Sequence, residues 1–301
     1  GIKNVGLSAA GRDVLDVTPT DTGTLVVITA TDPNTNGNYI RNIRVMRASD
    51  EAAYNSGERF SPEFVDDTKN YRTLRFMDWM KTNGSLQQAW ANRPQVDDVS
   101  YGATGTGDET LTGSVPVEVM MDLANEMHAN PWVNMPHKAT DDYITQFADL
   151  AHSLLDTDRK IYVEWSNEVW NGGFQQNTYA AAQGSALGWS GPGYELAWNY
   201  LGKRTAETCD IWKAEWGVDS DRVICVMGGQ ASSSWVNENE ILSCPLWTGS
   251  GGNCAGAHGI DALAIAPYFG GSDGELDAAA FDWVTNSPGT ALDELFNALT
   301  T

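Results

Sequence analysis

The sequence is poor in positive charge and has no long apolar run. Its 18 lysines and arginines face 40 aspartates and glutamates, which gives a net charge of −22 over 301 residues. Such an acidic chain would repel the phosphates of nucleic acids and of anionic membranes, so neither is expected as a partner. An apolar stretch long enough to span a membrane is also missing. The composition is typical of a soluble protein, expected to be a monomer, that binds a neutral ligand.

Cysteine and histidine are scarce, with four of each, and their spacing fits no zinc-binding pattern. We therefore expect no metal and no other cofactor. Cys244 and Cys254 flank a glycine-rich segment, and a disulfide between them would close a short loop and suit an oxidising compartment. Cys209 and Cys225 either pair or stay as separate buried thiols. Secretion is inferred from these cysteines, since no signal peptide is seen.

Residues 1–40 differ in composition from the rest and predict a small β-rich element before a main domain of residues 41–301. Within it, Asp32, Asn34 and Asn36 match the first ligands of a calcium loop. Ile43 occupies the place of the bidentate glutamate that completes such a loop, so an Asn/Gly-rich turn is favoured over a calcium site.

From residue 41 onward, apolar strand-like runs alternate with helical patterns, which predicts parallel strands joined by helical crossovers. The predicted strands are 42–47, 72–79, 131–135, 160–165, 222–228 and 260–268, and the predicted helices include 116–127, 141–155, 196–216 and 289–299.

Two parallel architectures fit this alternation. A doubly wound sheet would show a glycine-rich turn after its first strand, and the segment after residue 47 has none. A (β/α)8 barrel places its functional residues after several strands, and this pattern is present. We therefore predict a (β/α)8 TIM-like barrel. Only six strands fit, so the prediction allows for a barrel that is incomplete at the C-terminus. The residues that follow the strands are Asp78, Trp79, Asn134, His137, Asn167, Glu168, Gln230 and Tyr268.

The most informative segment is EWSNEVW at 164–170, where an apolar strand leads into Asn167 and Glu168 between Trp165 and Trp170. A carboxyl group at a strand end among aromatic rings suits proton transfer to a sugar, because the rings stack on the apolar face of a pyranose. A glutamate that merely caps the following loop is the simpler alternative.

These residues resemble glycoside hydrolase clan A, the (β/α)8 superfamily of retaining cellulases, xylanases and mannanases. The resemblance implies that Glu168, next to Asn167 at the end of the fourth strand, is the acid/base catalyst, and that Asn167 holds the sugar 2-hydroxyl. Arg75, His137 and Tyr268 match the clan's arginine on the second strand, histidine after the third and tyrosine at the end of the sixth. This tyrosine would hydrogen-bond the nucleophile.

The wider sequence, with LRFMDW, PWVNMPH and VEWSNEVWN, is similar to large exported bacterial polysaccharide-degrading proteins that carry accessory binding modules. The resemblance covers residues 41–270 and implies hydrolysis of a β-linked polysaccharide, of the endo-β-glucanase or xylanase type, with retention of configuration. Further candidate substrate-binding residues are Trp79, Trp170, Gln230 and Trp235, of which some tryptophans are expected to serve packing instead.

Simpler interpretations remain for several of these residues. Arg75 would pair with Asp78 or Glu164 inside the barrel, His137 would cap the next helix, and Tyr268 would be a core residue.

One departure from the clan concerns the nucleophile, a glutamate that ends the seventh strand. No such strand is evident, and Glu275 and Glu294 lie in a polar loop and a helix. Three explanations stay open. The nucleophile lies outside this chain, another carboxylate such as Asp78, Glu164 or Glu240 replaces it, or the protein binds carbohydrate without hydrolysing it. Besides an enzyme and a carbohydrate-binding protein, a structural or adhesive surface protein is the third class of function considered.

Overall fold

The structure is a computed structural model, and its contacts divide the chain into two compact units, Gly1–Asn70 and Tyr71–Thr301. The predicted boundary near residue 40 adjoins residues 40–45, which lie outside the described ranges, and it stays a prediction. The structure describes residues 2–8, 12–17, 31–32, 34–37, 39, 46–98, 101, 114–265 and scattered positions between 282 and 293.

The first unit contains an antiparallel pair of strands, β1 (Ile2–Ser8) and β2 (Arg12–Val17), in which Ile2 pairs with Val17 and Ser8 with Arg12. Two short helices follow, α1 (Glu51–Ser56) and α2 (Pro62–Thr68). Proline suits the first turn of α2 because the amide hydrogen that it lacks has no partner within the helix there.

The segment considered as a calcium loop forms a turn. The Asp32 carboxylate accepts hydrogen bonds from the backbone amides of Asn36, at 3.2 Å, and Gly37, at 2.8 Å. Gly37 has a φ of +77°, a conformation that glycine adopts without steric cost.

The second unit is built on five parallel strands that follow one another in chain order and curl into a half-barrel. The sheet is compatible with an incomplete TIM-like barrel. The predicted strand 42–47 falls largely outside the described residues, and its last two residues are irregular. The strands are β3 (Thr73–Arg75), β4 (Asn130–Met135), β5 (Ile161–Trp165), β6 (Val223–Gly228) and β7 (Ala262–Ala264).

Helices occupy the connections between these strands. Three predicted helices are confirmed with small shifts at their ends, and the predicted helix 289–299 falls mostly outside the described residues. The helices are α3 (Val117–Glu126), α4 (Asp141–Leu154), α5 (Gln175–Ala186), α6 (Gly193–Trp216), α7 (Ser234–Val236), a π-helical turn (Asn237–Ile241), α8 (Pro245–Thr248) and α9 (Cys254–Ala257). Across the described residues, none of them is both long and apolar enough to cross a membrane.

The sheet has two unlike faces. Its outer face is packed under the helices: the Trp165 ring meets Tyr200 of α6 at 5.7 Å, and Cys225 is bonded to Cys209 of the same helix. Residues of this face are almost completely buried: Val133, Met135, Ile161, Val163, Trp165, Val223, Cys225 and Met227. The alternate residues form the inner face, where most side chains are polar or aromatic, several are partly exposed, and the two on β6 are aliphatic: Arg75, Trp132, Asn134, Tyr162, Glu164, Ile224 and Val226.

The cysteines pair differently from the first expectation. The disulfide joins Cys209 to Cys225, with a Cα–Cα distance of 5.7 Å, and so ties α6 to β6. Cys244 and Cys254, for which a loop-closing disulfide was predicted, are both free and fully buried.

Candidate functional site

The chain turns sharply where β5 ends. Ser166 and Glu168 have backbone φ values of +61° and +43°, a region that residues other than glycine rarely adopt. The side-chain Nδ2 of Asn134 donates to the Ser166 carbonyl oxygen at 2.7 Å. The backbone amide of Ser166 donates to the Met135 carbonyl oxygen at 2.9 Å. These bonds hold β5 against β4 through the turn. Backbone strain that neighbours maintain in this way is common at functional sites.

The Asn167 side chain is held at both ends. It is 5% exposed, its Oδ1 accepts from Arg75 Nη2 at 3.0 Å, and its Nδ2 donates to Asn83 Oδ1 at 3.0 Å. Gln176 of α5 donates from Nε2 to the same Asn83 oxygen, at 2.7 Å, and to the Asn167 carbonyl oxygen, at 2.8 Å. The amide of Asn167 therefore has a fixed orientation.

Glu164 is a buried carboxylate on the inner face. Its Oε2 accepts from Arg75 Nη2 at 2.8 Å, from Asn134 Nδ2 at 2.8 Å and from Trp132 Nε1 at 3.0 Å. Burial raises the pKa of Glu164, and the charge and hydrogen bonds of Arg75 are the main opposing influence. The three donors compensate in part for the cost of burying the charge.

Arg75 connects the buried carboxylate to the strand end, because the same Nη2 atom bonds Glu164 and Asn167. The pairing with Glu164 is the simpler of the two roles considered for this arginine. The guanidinium group also lies over the Trp132 ring, 5.1 Å from its centroid, and Tyr162 stacks beside that ring at 5.7 Å. Trp132 thus has packing partners on two neighbouring strands.

Glu168 lies beyond this network and is partly exposed. Its Oε2 accepts from Asn171 Nδ2 at 3.1 Å, and its carbonyl oxygen accepts from the Asn171 amide at 2.8 Å. The carboxyl group therefore sits on a short turn whose start is fixed by Asn167. The turn brings a carboxyl group and a buried amide side by side at the carboxyl end of the sheet.

His137 is deeply buried, with 1% of its surface exposed, and meets the Tyr179 ring edge-on at 5.1 Å. Burial lowers its pKa to about 4, with a smaller effect from the charge of Lys138. Among the described residues, neither ring nitrogen has a hydrogen-bond partner. The imidazole is therefore neutral near pH 7.

The remaining predicted residues are more scattered. Trp79 is partly exposed and meets Phe76 at 5.4 Å, Trp170 is partly exposed, and Trp235 on α7 is 59% exposed. Gln230 is tied to Asn237 through its backbone. Tyr268, Glu275 and Glu294 lie outside the described residues.

Sequence reasoning missed Asn83, Asn171 and Gln176 as parts of this site. Asn83 lies 84 residues from its partner Asn167, so no local pattern connects them. Gln176 sits on α5, a helix that the apolar periodicity does not predict.

Comparison with models of protein families, with curated proteins and with solved structures finds no match. Within the described ranges, no group of three or more histidine, cysteine, aspartate or glutamate side chains is arranged to hold a metal ion.

Proposed function

We propose that this chain is a glycoside hydrolase that acts on a β-linked polysaccharide. The observation that carries the proposal is the arrangement after β5, where a partly exposed Glu168 follows an Asn167 amide that Arg75 and Asn83 hold in place. The carboxyl ends of parallel barrel strands are the usual location of catalytic residues in such folds.

In this mechanism Glu168 protonates the leaving glycosidic oxygen and later removes a proton from water. Asn167 binds a sugar hydroxyl beside the bond that breaks. A retaining reaction also needs an ionised carboxylate about 5–5.5 Å from the acid. We leave the nucleophile unassigned, because Glu164 already accepts three protein hydrogen bonds on one oxygen.

The acidic composition suits an exported protein that degrades an uncharged polysaccharide, since a neutral glycan is not repelled by a net charge of −22. An endo-acting β-glucanase or xylanase is the specific activity that we propose.

A non-catalytic carbohydrate-binding protein is the second candidate. It is favoured by the ion pair of Glu164 with Arg75. Glu164 is the buried carboxylate that Arg75 connects to Asn167, and this ion pair gives it a structural contact in place of a catalytic one. Such a protein would keep the fixed amide and the exposed Trp235 as sugar contacts without a second reactive carboxyl group.

The test is release of reducing sugar from β-glucans, xylan, mannan and algal polysaccharides by the protein and by Glu168→Gln. We expect activity on one class of substrate and a loss of at least about 100-fold in the variant, because general acid catalysis contributes about that much. Glu215→Gln is the matched control, since Glu215 is exposed near the end of α6, and it should retain full activity.

Activity that survives Glu168→Gln would exclude this residue as the acid/base. Binding to one polysaccharide without sugar release, by the wild type and the variant alike, would favour the second candidate. For an active protein, NMR detection of the first-formed anomer decides between retention and inversion.

A further inference from the structure

Two buried thiols lie in contact beneath α6. Cys244 precedes α8 and Cys254 begins α9, both side chains are completely buried, and their thiol groups lie close enough to interact. The Cys244 thiol also donates to the Ile241 carbonyl oxygen at 3.2 Å. Ala206 of α6 completes the cluster, and Trp247 packs against it. The contact spans the segment Pro245–Asn253, which contains the glycine-rich turn.

The surrounding structure holds the two cysteines together independently of their sulfur atoms. The Ala255 amide donates to the Leu242 carbonyl oxygen at 2.9 Å, which places α9 beside the chain that enters α8. Trp247 stacks on His258 at 5.1 Å, and the Lys203 ammonium lies 5.3 Å from the Trp247 ring centroid. The segment therefore returns to its starting point, which keeps the two cysteines in one buried cluster.

We propose that Cys244 and Cys254 form a second structural disulfide when the chain folds under oxidising conditions. The reaction joins the two Sγ atoms, and two protons and two electrons pass to a disulfide oxidant such as oxidised glutathione, which is reduced to two thiols. The proposal is independent of the glycosidase function.

Burial determines when this bond can form. A thiol reacts as its thiolate, and burial raises the pKa of Cys244, so the folded reduced pair is unreactive and closed to reagents. We therefore expect oxidation during folding, before α6 covers the pair. Once formed, the bond is protected in the same way from reductants.

The bond would stabilise the protein by restricting the unfolded segment. Gly249 and Gly251 adopt φ values of +84° and +83°, and glycines give an unfolded loop many conformations. Closing such a loop removes part of that freedom from the unfolded state.

The experiment is oxidative refolding of the reduced, unfolded full chain in a mixture of reduced and oxidised glutathione. Thiols are then counted in denaturant, and the linked peptides are identified by mass spectrometry without reduction. We expect no titratable thiol and a peptide that joins Cys244 to Cys254. Two remaining thiols, or a link from either residue to Cys209 or Cys225, would overturn the proposal.

A stability comparison keeps the proposal testable if refolding is inefficient. The Tm of the wild type and of Cys244→Ala/Cys254→Ala, both as isolated under oxidising conditions, is measured without reductant and with reductant present throughout the thermal scan, since unfolding exposes the buried bond to the reductant. Reduction also breaks the bond between Cys209 and Cys225, so the double variant reports that part alone. The wild type should lose about 5 °C more than the variant. Equal losses would contradict the proposal.

Discussion

The outer and inner faces of the parallel sheet use neighbouring residues of the same strands for different purposes. On β5, Ile161 and Val163 are buried under the helices, while Tyr162 is partly exposed and Glu164 carries a charge. The outer face is uniformly apolar. The inner face contains an ion pair, an aromatic stack and the amide of Asn134.

This difference separates non-directional packing from directed polar contacts within a single strand. Apolar burial is non-directional, so the outer face tolerates exchanges among apolar side chains of similar volume. The inner face depends on directed contacts: each donor around Glu164 must keep its position, because a buried charge without partners is costly. We therefore expect substitutions on the two faces to differ in their pH dependence as well as in size.

The largest effect should follow Arg75→Met, which leaves the Glu164 carboxylate buried without its ion pair. We expect a loss of about 3–5 kcal/mol in the free energy of unfolding at neutral pH. The loss should shrink as the pH falls towards the ordinary range of a carboxyl group, because protonation removes the buried charge. Urea unfolding at several pH values measures both effects.

The control is the double variant Arg75→Met/Glu164→Gln, in which no charge remains at this position. It should recover at least half of the lost stability. If the double variant is as unstable as Arg75→Met, the cost comes from lost packing over Trp132 instead of from the charge.

Two adjacent substitutions compare the faces directly. Ile161→Ala should cost about 2–5 kcal/mol, because it opens a cavity under the helices. Tyr162→Ala should cost about 1–2 kcal/mol, since the tyrosine is partly exposed and loses mainly its stacking on Trp132. Thermal or urea unfolding of both variants tests the order. A larger loss for Tyr162→Ala would mean that the inner face is the main core.

The sequence predicts the elements that contain continuous apolar runs. Five of the six predicted strands overlap β3 to β7, and the outer residues of β5 and β6 are the buried Ile161, Val163, Trp165, Val223, Cys225 and Met227. In contrast, α5 is not evident, since its buried positions are Gln176, Ala180 and Gly184. This helix packs close to its neighbour through small residues: a Cβ atom added at Gly184 would lie 3.1 Å from Leu196 Cβ.

The candidate site was predicted only in part for a similar reason. Glu168 and Asn167 follow directly from the strand end. The pairing of Arg75 with Glu164 was one alternative among several, because 89 residues separate the partners and only the curl of the sheet brings them together. Burial of His137 was equally invisible in the sequence, since it depends on Tyr179 of α5.

Burial of His137 should make the stability of the protein depend on pH. Its pKa of about 4 in the folded protein lies below the ordinary value of 6.5, so the unfolded chain takes up a proton first as the pH falls. Stability from this group is therefore present above about pH 6.5 and is lost down to about pH 4. The full loss of stability from this one histidine, reached once the pH is below its folded pKa, is roughly 3 kcal/mol.

His137→Phe keeps a ring against Tyr179 and removes the titration. Between about pH 7 and pH 4.5 its free energy of unfolding should fall by roughly 2.5 kcal/mol less than that of the wild type. His152→Gln is the control, because this histidine is partly exposed and pairs with Asp219. The idea fails if His137→Phe and the wild type show the same pH dependence in urea unfolding.

The smallest effect concerns N-terminal capping of the helices that cover the outer face. Thr140 precedes α4, and its hydroxyl oxygen accepts from the Tyr143 amide at 3.1 Å, which satisfies one of the unpaired amides of the first turn. Thr140→Ala should cost about 1 kcal/mol in urea unfolding. Thr140 is exposed, so the loss reports the hydrogen bonds of its hydroxyl group and not a cavity. These are the cap bond and a second bond, 3.3 Å long, that the hydroxyl donates to the Gln88 carbonyl oxygen.

Thr178→Ala is the matched control for the cap, because Thr178 is also exposed but lies inside α5. It should be neutral or slightly stabilising, since alanine has the higher helix propensity. Equal losses in the two variants would mean that the hydroxyl of Thr140 does not act as a cap. A loss confined to Thr140→Ala, small beside that of Ile161→Ala, would place most of the stability of the outer layer in apolar burial and little in its helix ends.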